Sequence, residues 1–468
     1  MTQSKHKVPS DVMVNQSYHP LFDFIAEKIS DFLIAHPDQD CKNIRATDHS
    51  PYRLGFTFSF TCEQTSLEGG TLIHWDKGWD IPEAIGRDPC VMLQEAIDKL
   101  RLPVLVTVLA NDSVGALLTR SYTSHPKDST LGAVIFGTGT NAAYIEKLSN
   151  VQRLAIQGDH RGIMVINTEW GCLGDNNVDV LPRTSFDDEL DKDSTDPGAQ
   201  MLEKRVSGLY LGELLRLTIL RLLEVDAFNL KFNKNSPIFQ KEGINSAFLS
   251  ELAIAKTKNT TNASKIIQET LMAENVATEN VATEDAQAIQ LLATRIVRRA
   301  GRLAGASLSA IIIQSGRLEA SHKEGKYHDT EVKEYETPAA LDMTINSVER
   351  FTWRLRLVWR RILQLLGMDS LVGTSIPCIR HQQIPEPVND RLEENVIDIG
   401  ADGSLIEFYP NFEAEMRGAM REVPEIGHHG ERRVRIGLTK DGSGVGAALM
   451  AQAAMESEAL SSNRGVRV

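Results

Sequence analysis

Leu131-Gly-Ala-Val-Ile-Phe136 runs without interruption into Gly137-Thr-Gly-Thr-Asn141. The first six residues form a short apolar run with the make-up of a strand buried on both faces. The next five are small and polar, the composition of a tight hairpin turn. Its glycines carry no Cβ, so the turn's amides can approach an anion closely. Upstream, Val104-Leu-Val-Thr-Val-Leu-Ala110 is a second buried run, followed at once by Asn111-Asp112-Ser113. That order puts a carboxylate at the C-terminal end of a strand, the edge where ligands sit in open α/β sheets. Each signal alone has an ordinary reading, the Asp as a helix N-cap and the Gly-Thr-Gly as a plain turn.

Outward from these runs, helix and strand alternate. In Pro20 to Leu33, the residues Leu21, Ile25, Ile29 and Leu33 recur at fourfold spacing and share one helical face. Leu54-Gly-Phe-Thr-Phe-Ser-Phe60 alternates with period two and is rich in Phe and Thr, which predicts a strand. Ser113 to Tyr122 and Gln200 to Leu223 are expected to be helical. The class is therefore α/β with mixed sheets.

Two segments break this rhythm. Glu274-Asn-Val-Ala-Thr278 is repeated at once as Glu279-Asn-Val-Ala-Thr283, too short a duplication for a solenoid and read as a surface lengthening of a helix or loop. From Arg317 to Asp390 the chain is irregular and polar, except for 351–366. There Leu355, Val358, Trp359, Ile362, Leu363 and Leu366 make an apolar stripe, with Arg350, Arg354 and Arg361 on another face. Such a helix docks on its own domain, or it receives a protein partner or a membrane.

The 468 residues carry 50 Lys and Arg against 63 Asp and Glu, a formal charge of −13. That balance speaks against direct nucleic-acid binding and against affinity for anionic lipid. With 42% hydrophobic and 24% charged residues, the chain has the make-up of a folded protein with one or two large cores. Its five cysteines are scattered and show no CxxC pairing, so no disulfide framework or zinc site is expected. Leu303 to Ile313, the most apolar stretch, is about half the length needed to span a bilayer. A soluble, intracellular protein is expected, cytoplasmic in the first place, with nuclear or mitochondrial association left open.

The order of further segments is more specific than any one of them. Leu54-Gly-Phe-Thr-Phe-Ser59, Lys77-Gly78, Asn111-Asp112, Gly137 to Asn141 and Asn167-Thr-Glu-Trp-Gly-Cys-Leu-Gly-Asp175 come first. Asp196-Pro-Gly198, Glu203 to Glu213, Arg299 to Ala304, Gly400-Ala-Asp-Gly-Ser404 and Lys440 to Leu449 follow. In this series the chain resembles the hexokinase family, over about residues 8–316 and 391–456.

The resemblance implies a two-lobed fold of the actin-like ATPase (ribonuclease H-like) kind. The small lobe would take residues 1–110 with a helix at about 441–457 returning to it, and the large lobe 111–440 with an insert at about 317–390. It implies ATP, Mg²⁺ and a hexose, glucose foremost, as ligands. Asp112 would take the proton from the sugar 6-hydroxyl, with Lys77 assisting the transferred phosphoryl group. Ser59, Lys77, Asn111, Asp112, Asn141, Glu169 and Glu203 match the sugar-binding set. Gly137, Thr138 and Gly139 match the second phosphate loop, and Gly403 and Ser404 the adenosine motif. No residue is assigned as a metal ligand, and the lack of GxxxxGK[ST] excludes a P-loop.

Three departures qualify the resemblance, which is to an atypical, N-terminally shortened fungal type. The family's Leu-Asp-Leu-Gly-Gly-Thr-Asn strand and turn, its first phosphate loop, would precede Val8; without it a small lobe lacking its first strands and a weakened clamp on the nucleotide are expected. Asp76 stands where the family has Thr, placing a negative charge beside Lys77 and inviting an ion pair. Thr61 replaces a Pro. Two readings follow: an ATP-dependent hexose 6-phosphotransferase, and a sugar-responsive regulatory protein that keeps the cleft without turnover.

Overall fold

The computed structural model describes residues 2–36, 51–125, 129–151, 162–257, 263–275, 283–318 and 396–464. The amphipathic segment 351–366 lies outside them, as do most of the insert and most of the five-residue duplication.

Helices α1 (Ser10–Met13) and α2 (His19–Ala35) lead to strand β1 (Tyr52–Thr57) and to the antiparallel pair β2 (Thr61–Gln64) and β3 (Gly70–His74). Helix α3 (Pro89–Lys99) starts at a proline behind Asp88, whose side chain accepts from the Cys90 amide. Strand β4 (Val104–Ala110) then runs parallel to β1, with a bulge between Leu54 and Gly55. The predicted strand over Leu54 to Phe60 therefore stops at Thr57. Beyond it the Phe58 and Phe60 rings turn onto Trp75, with centroids 5.7 and 4.6 Å away.

Helix α4 (Asp112–Thr123) begins immediately after β4 and is followed by β5 (Ser129–Phe136), β6 (Thr140–Lys147) and β7 (Ile163–Asn167). Helices α5 (Ser185–Lys192), α6 (Glu203–Val206) and α7 (Gly208–Glu224) come next. Strand β8 (Leu230–Phe232) pairs antiparallel with β9 (Ala273–Asn275), enclosing α8 (Ser246–Thr257) and α9 (Ala263–Leu271) in sequence. Of the duplicated segment, Glu274 and Asn275 lie in β9 and Thr283 opens the next helix, while the residues between them lie outside the described ones. Helix α10 (Thr283–Gln314) follows.

Strand β10 (Ile397–Asp402), helices α11 (Ser404–Phe408), α12 (Phe412–Glu422) and α13 (Gly427–Arg433), strand β11 (Val434–Leu438) and helix α14 (Gly442–Arg464) end the described chain. The main sheet has the order β11-β10-β5-β6-β7, parallel from β11 to β5 and antiparallel from β5 to β7. It is the mixed sheet expected from the alternating pattern.

The predicted helix over Gln200 to Leu223 is broken at Ser207, whose backbone is extended. The amides of Gly208 and Leu209 donate instead to the carbonyls of Gly137 and Thr138, at 2.8 and 3.2 Å. A Cβ on Gly208 would stand 2.9 Å from the Gly137 oxygen. The break therefore ties the start of α7 to the β5–β6 turn, and these long-range hydrogen bonds override local helix propensity.

The buried apolar residues fall into three groups. One, from Tyr18 to Leu109, unites α2, α3 and the β1–β4 pair. A larger one joins α5 to α12 with the main sheet. The third contains Val108, Ala116, Leu117, Ala133, Ala447 and Ala451, so α14 packs where β4, α4 and the main sheet meet. Contact there is main chain to main chain. A Cβ on Gly115 would lie 2.6 Å from the Ser443 oxygen, one on Gly446 2.0 Å from the Gly115 oxygen, and one on Gly55 2.2 Å from the Ala447 oxygen. No helix among the described residues is long and apolar enough to cross a membrane.

Candidate active site

Asn111 caps α4, and its Oδ1 accepts from the Ser113 amide at 2.9 Å and the Ser113 hydroxyl at 2.6 Å. Asp112 is the helix's first residue and its Oδ1 takes the same amide at 2.8 Å. The unpaired amides of the first turn favour a carboxylate there. From β6, Asn141 Nδ2 donates to Asn167 Oδ1 at 2.8 Å, and it stands 3.2 Å from Glu169 Oε1 and 3.3 Å from Asn111 Oδ1. Asn167 Nδ2 donates to Glu169 Oε1 at 2.7 Å. Four side chains from four points of the sequence thus form one polar chain beside Asp112. Glu169 adopts φ 47°, a left-handed conformation uncommon outside glycine that marks functional positions.

Glu203 opens α6 and is only 4% exposed. Its Oε2 accepts from the Thr140 amide at 2.8 Å. A Cβ on Gly139 would fall 2.5 Å from that carboxylate and 2.8 Å from Lys77 Cε, so the glycine is what lets the turn fit between them. Lys77 reaches in from the β3 side. Its Nζ lies 3.3 Å from Asp76 Oδ1, 3.5 Å from the Ser59 carbonyl and 5.9 Å from the centre of the Phe60 ring. The ion pair invited by Asp76 is therefore formed.

Burial raises the carboxyls of Asp76 and Glu169 above the ordinary range, and pushes Glu203 up to about 7 against the opposing pull of Lys77 and the Thr140 amide. For Lys77, burial acts to lower the ammonium's pKa, but the charges of Glu203 and Asp76 outweigh it and the net shift is upward.

Apart from Asn167, which stands behind the wall, these site groups line one cavity of about 360 Å³. Ser59, Lys77, Asn111, Asp112, Asn141, Glu169 and Glu203 are on its wall, together with Gly137, Thr138, Gly139 and Gly403. Ser404 is not on it: it starts α11, one residue past Gly403, whose φ of 110° turns the chain against Phe136 and Gly137. Sequence reasoning missed Asn167 and Asp402 as site residues, and named Asp76 only as the ion-pair partner of Lys77. Asp402 was legible, since it ends the buried strand β10 just as Asn111 and Asp112 follow β4. Asn167 sits across from Ala143 in the β6–β7 register, two places from Asn141, a proximity that only the hairpin creates.

Glu203 gives the site a stability signature. Its carboxyl binds a proton more tightly in the folded protein than in the unfolded chain, so its ionisation lowers stability as pH rises from about 4.5 to about 7. Glu203→Gln is therefore expected to gain in melting temperature on the wild type across that interval. A difference that stays flat between pH 5 and 8 in paired melts would contradict this assignment.

A two-lobed α/β protein with polar side chains gathered at the C-terminal ends of β4, β5 and β10 has the architecture of the actin-like ATPases. Comparison with known proteins narrows this. Hexokinase family models match residues 1–122 and 131–453. A glucokinase from Aspergillus niger is 36% identical over 480 residues, covering 98% of this chain and 81% of that protein. Hexokinase-2 of Schizosaccharomyces pombe is 31% identical, covering 98% and 80%. Among solved structures, a hexokinase from Schistosoma mansoni complexed with glucose superposes with a TM-score of 0.66 at 27% identity, covering 95% of this chain and 78% of that one. The chain belongs to the hexokinase family. The family is one of hexose kinases and in general uses ATP with a divalent cation.

Proposed function

We propose that the chain is an ATP-dependent hexose 6-phosphotransferase acting on glucose, built as a small lobe of residues 1–110 with the returning helix and a large lobe of 111–440. The observation that supports this best is the shared cavity. Asp112, at the head of α4, stands in it with the Asn111, Asn141 and Glu169 side chains and the Gly137–Gly139 turn.

In this reading the amides and carboxylates of Asn111, Asn141, Glu169 and Glu203 hold the ring hydroxyls, which both donate and accept. Asp112 takes the proton of the 6-hydroxyl as that oxygen bonds to the γ-phosphorus of ATP. The bond from that phosphorus to the bridging oxygen breaks and ADP leaves. Lys77 offsets the charge of the transferred group. The Thr138 hydroxyl and the amides of the turn face the phosphates, and Gly403 lets the backbone lie against the nucleoside. Among the described residues no three His, Cys, Asp or Glu side chains are grouped as a metal cage. The Thr138 hydroxyl and the Asp402 carboxylate, both on the cavity wall, are hard oxygen donors of the kind Mg²⁺ takes and would hold it beside the phosphates, which with water supply most of its ligands. The ion supplies charge neutralisation at the phosphates.

Glucose binding followed through Trp75, Trp79 and Trp170, alongside ATP-dependent phosphorylation, tests the proposal. Saturable binding with formation of hexose 6-phosphate is expected. Binding without phosphorylation would select the second reading, a sugar-responsive regulatory protein, which the Asp76–Lys77 ion pair favours. Absence of binding would sink both.

A further inference from the structure

The geometry points to Asp76 as a positioning residue that holds Lys77 away from an incoming phosphate, so that the phosphate clamp of this chain is partly neutralised from within. The inference rests on the phosphotransferase reading only for where the phosphates enter.

Three observations carry it. Asp76 is 6% exposed, and its Oδ1 is buried and receives no hydrogen bond. The Lys77 ammonium at 3.3 Å is thus what compensates that oxygen's charge, and a buried carboxylate does not give up such a partner freely. The backbone then fixes the lysine. Lys77 and Gly78 have φ of 56° and 82°, and the Trp79 amide closes the turn on the Asp76 carbonyl at 3.0 Å. The cleft, lastly, has little positive charge to spare. Among the described residues that line it, Lys77 is the one cation, against Asp76, Asp112, Glu169, Glu203 and Asp402.

A nucleotide triphosphate entering this cleft competes with Asp76 for the ammonium. The Thr that the family resemblance leads one to expect at this position has no charge with which to compete. Removing the charge of Asp76 should therefore strengthen the nucleotide side of the reaction. Such a gain is unusual for a substitution at a buried site residue, and it must depend on Lys77.

The test uses Asp76→Thr and the isosteric Asp76→Asn, each with and without Lys77→Ala. The readouts are kcat, the KM for ATP and for glucose, and the calorimetric Kd of a non-hydrolysable ATP analogue. Both single variants are expected to improve kcat/KM for ATP, or the affinity for the analogue, by about fivefold or more. The gain should vanish in the Lys77→Ala background, because the two residues act as one unit. A smaller gain, or one that survives loss of Lys77, overturns the inference. Tighter analogue binding without phosphorylation by any variant would sink the phosphotransferase reading and leave Asp76 in its role. An analogue that binds to neither wild type nor variants would overturn both.

Discussion

Asp112→Ala is expected to lower kcat for ATP-dependent glucose phosphorylation by about 10²- to 10⁴-fold, the usual worth of a positioned general base. The loss should be chemical and not structural. The Ser113 amide keeps Asn111 Oδ1 as an acceptor at 2.9 Å when the Asp112 carboxylate is removed, so the cap of α4 survives. The polar chain from Asn111 through Asn141 to Glu169 contains no atom of Asp112, so the rest of the sugar site should stay in place and any rise in the KM for glucose should be small beside the loss in kcat. Asp112→Asn keeps the shape of the side chain and loses the proton acceptor, and it should fall with the alanine variant. Steady-state kinetics with a melting curve for each protein checks the claim. Turnover within about tenfold of wild type would remove Asp112 from its role.

Arg120→Ala should cost about 3–5 kcal/mol of stability, because it strands a fully buried charge. Asp398, on β10, is 0% exposed. It accepts from Arg120 Nε at 2.9 Å and from Arg120 Nη2 at 2.5 Å, and Thr130 Oγ1 adds a third donor at 2.9 Å. Room for the guanidinium comes from the neighbouring strand, where a Cβ on Gly437 would fall 2.1 Å from Arg120 Nη1. Asp398→Ala alone leaves the arginine half-satisfied, whereas removing both partners leaves no orphan charge. The double variant should therefore be less destabilised than the sum of the singles, a coupling that a double-mutant cycle in chemical denaturation reads directly. Additive effects, or a cost for Arg120→Ala below about 1 kcal/mol, would show the pair to be dispensable. Since α4 carries Asp112 at its other end, this pair also anchors the helix that presents the proton acceptor.

These two residues mark how far the sequence could be read. Asp112 was legible because a doubly buried strand announces itself: Val104 to Ala110 and Leu131 to Phe136 are short apolar, β-branched runs, with Thr107 the one polar side chain in them, and the polar residues that end them must lie at the sheet's edge. Arg120 was not. It lies in the last turn of a helix as an ordinary charged residue, and only the approach of β10, nearly three hundred residues later, gives it a partner. The same holds for Ser207. Gln200 to Leu223 reads as one helix by its apolar spacing, and it is interrupted at Ser207-Gly208, a turn-type pair, where the amides of Gly208 and Leu209 donate to carbonyls of the β5–β6 turn. Glu203 illustrates both cases. Its helical context was read correctly, but the burial that raises its pKa is made by the β5–β6 turn and the β3 side closing over it, neither of them a sequence neighbour, while Lys77 and the Thr140 amide pull the pKa the other way.

The crossing of α4 and α14 is written in residues with no functional group. Gly115 and Gly446 meet backbone on backbone, and Gly55 offers the same bare surface to Ala447. None of the three could gain even a methyl group unless its opposite number withdrew. A homologue hunter who scores acids, bases and amides would pass over this seam, although it is the place where the C-terminal helix is fastened to β1 and to the helix that begins at Asp112. Its tolerance to substitution should thus be as narrow as that of the chemistry it supports.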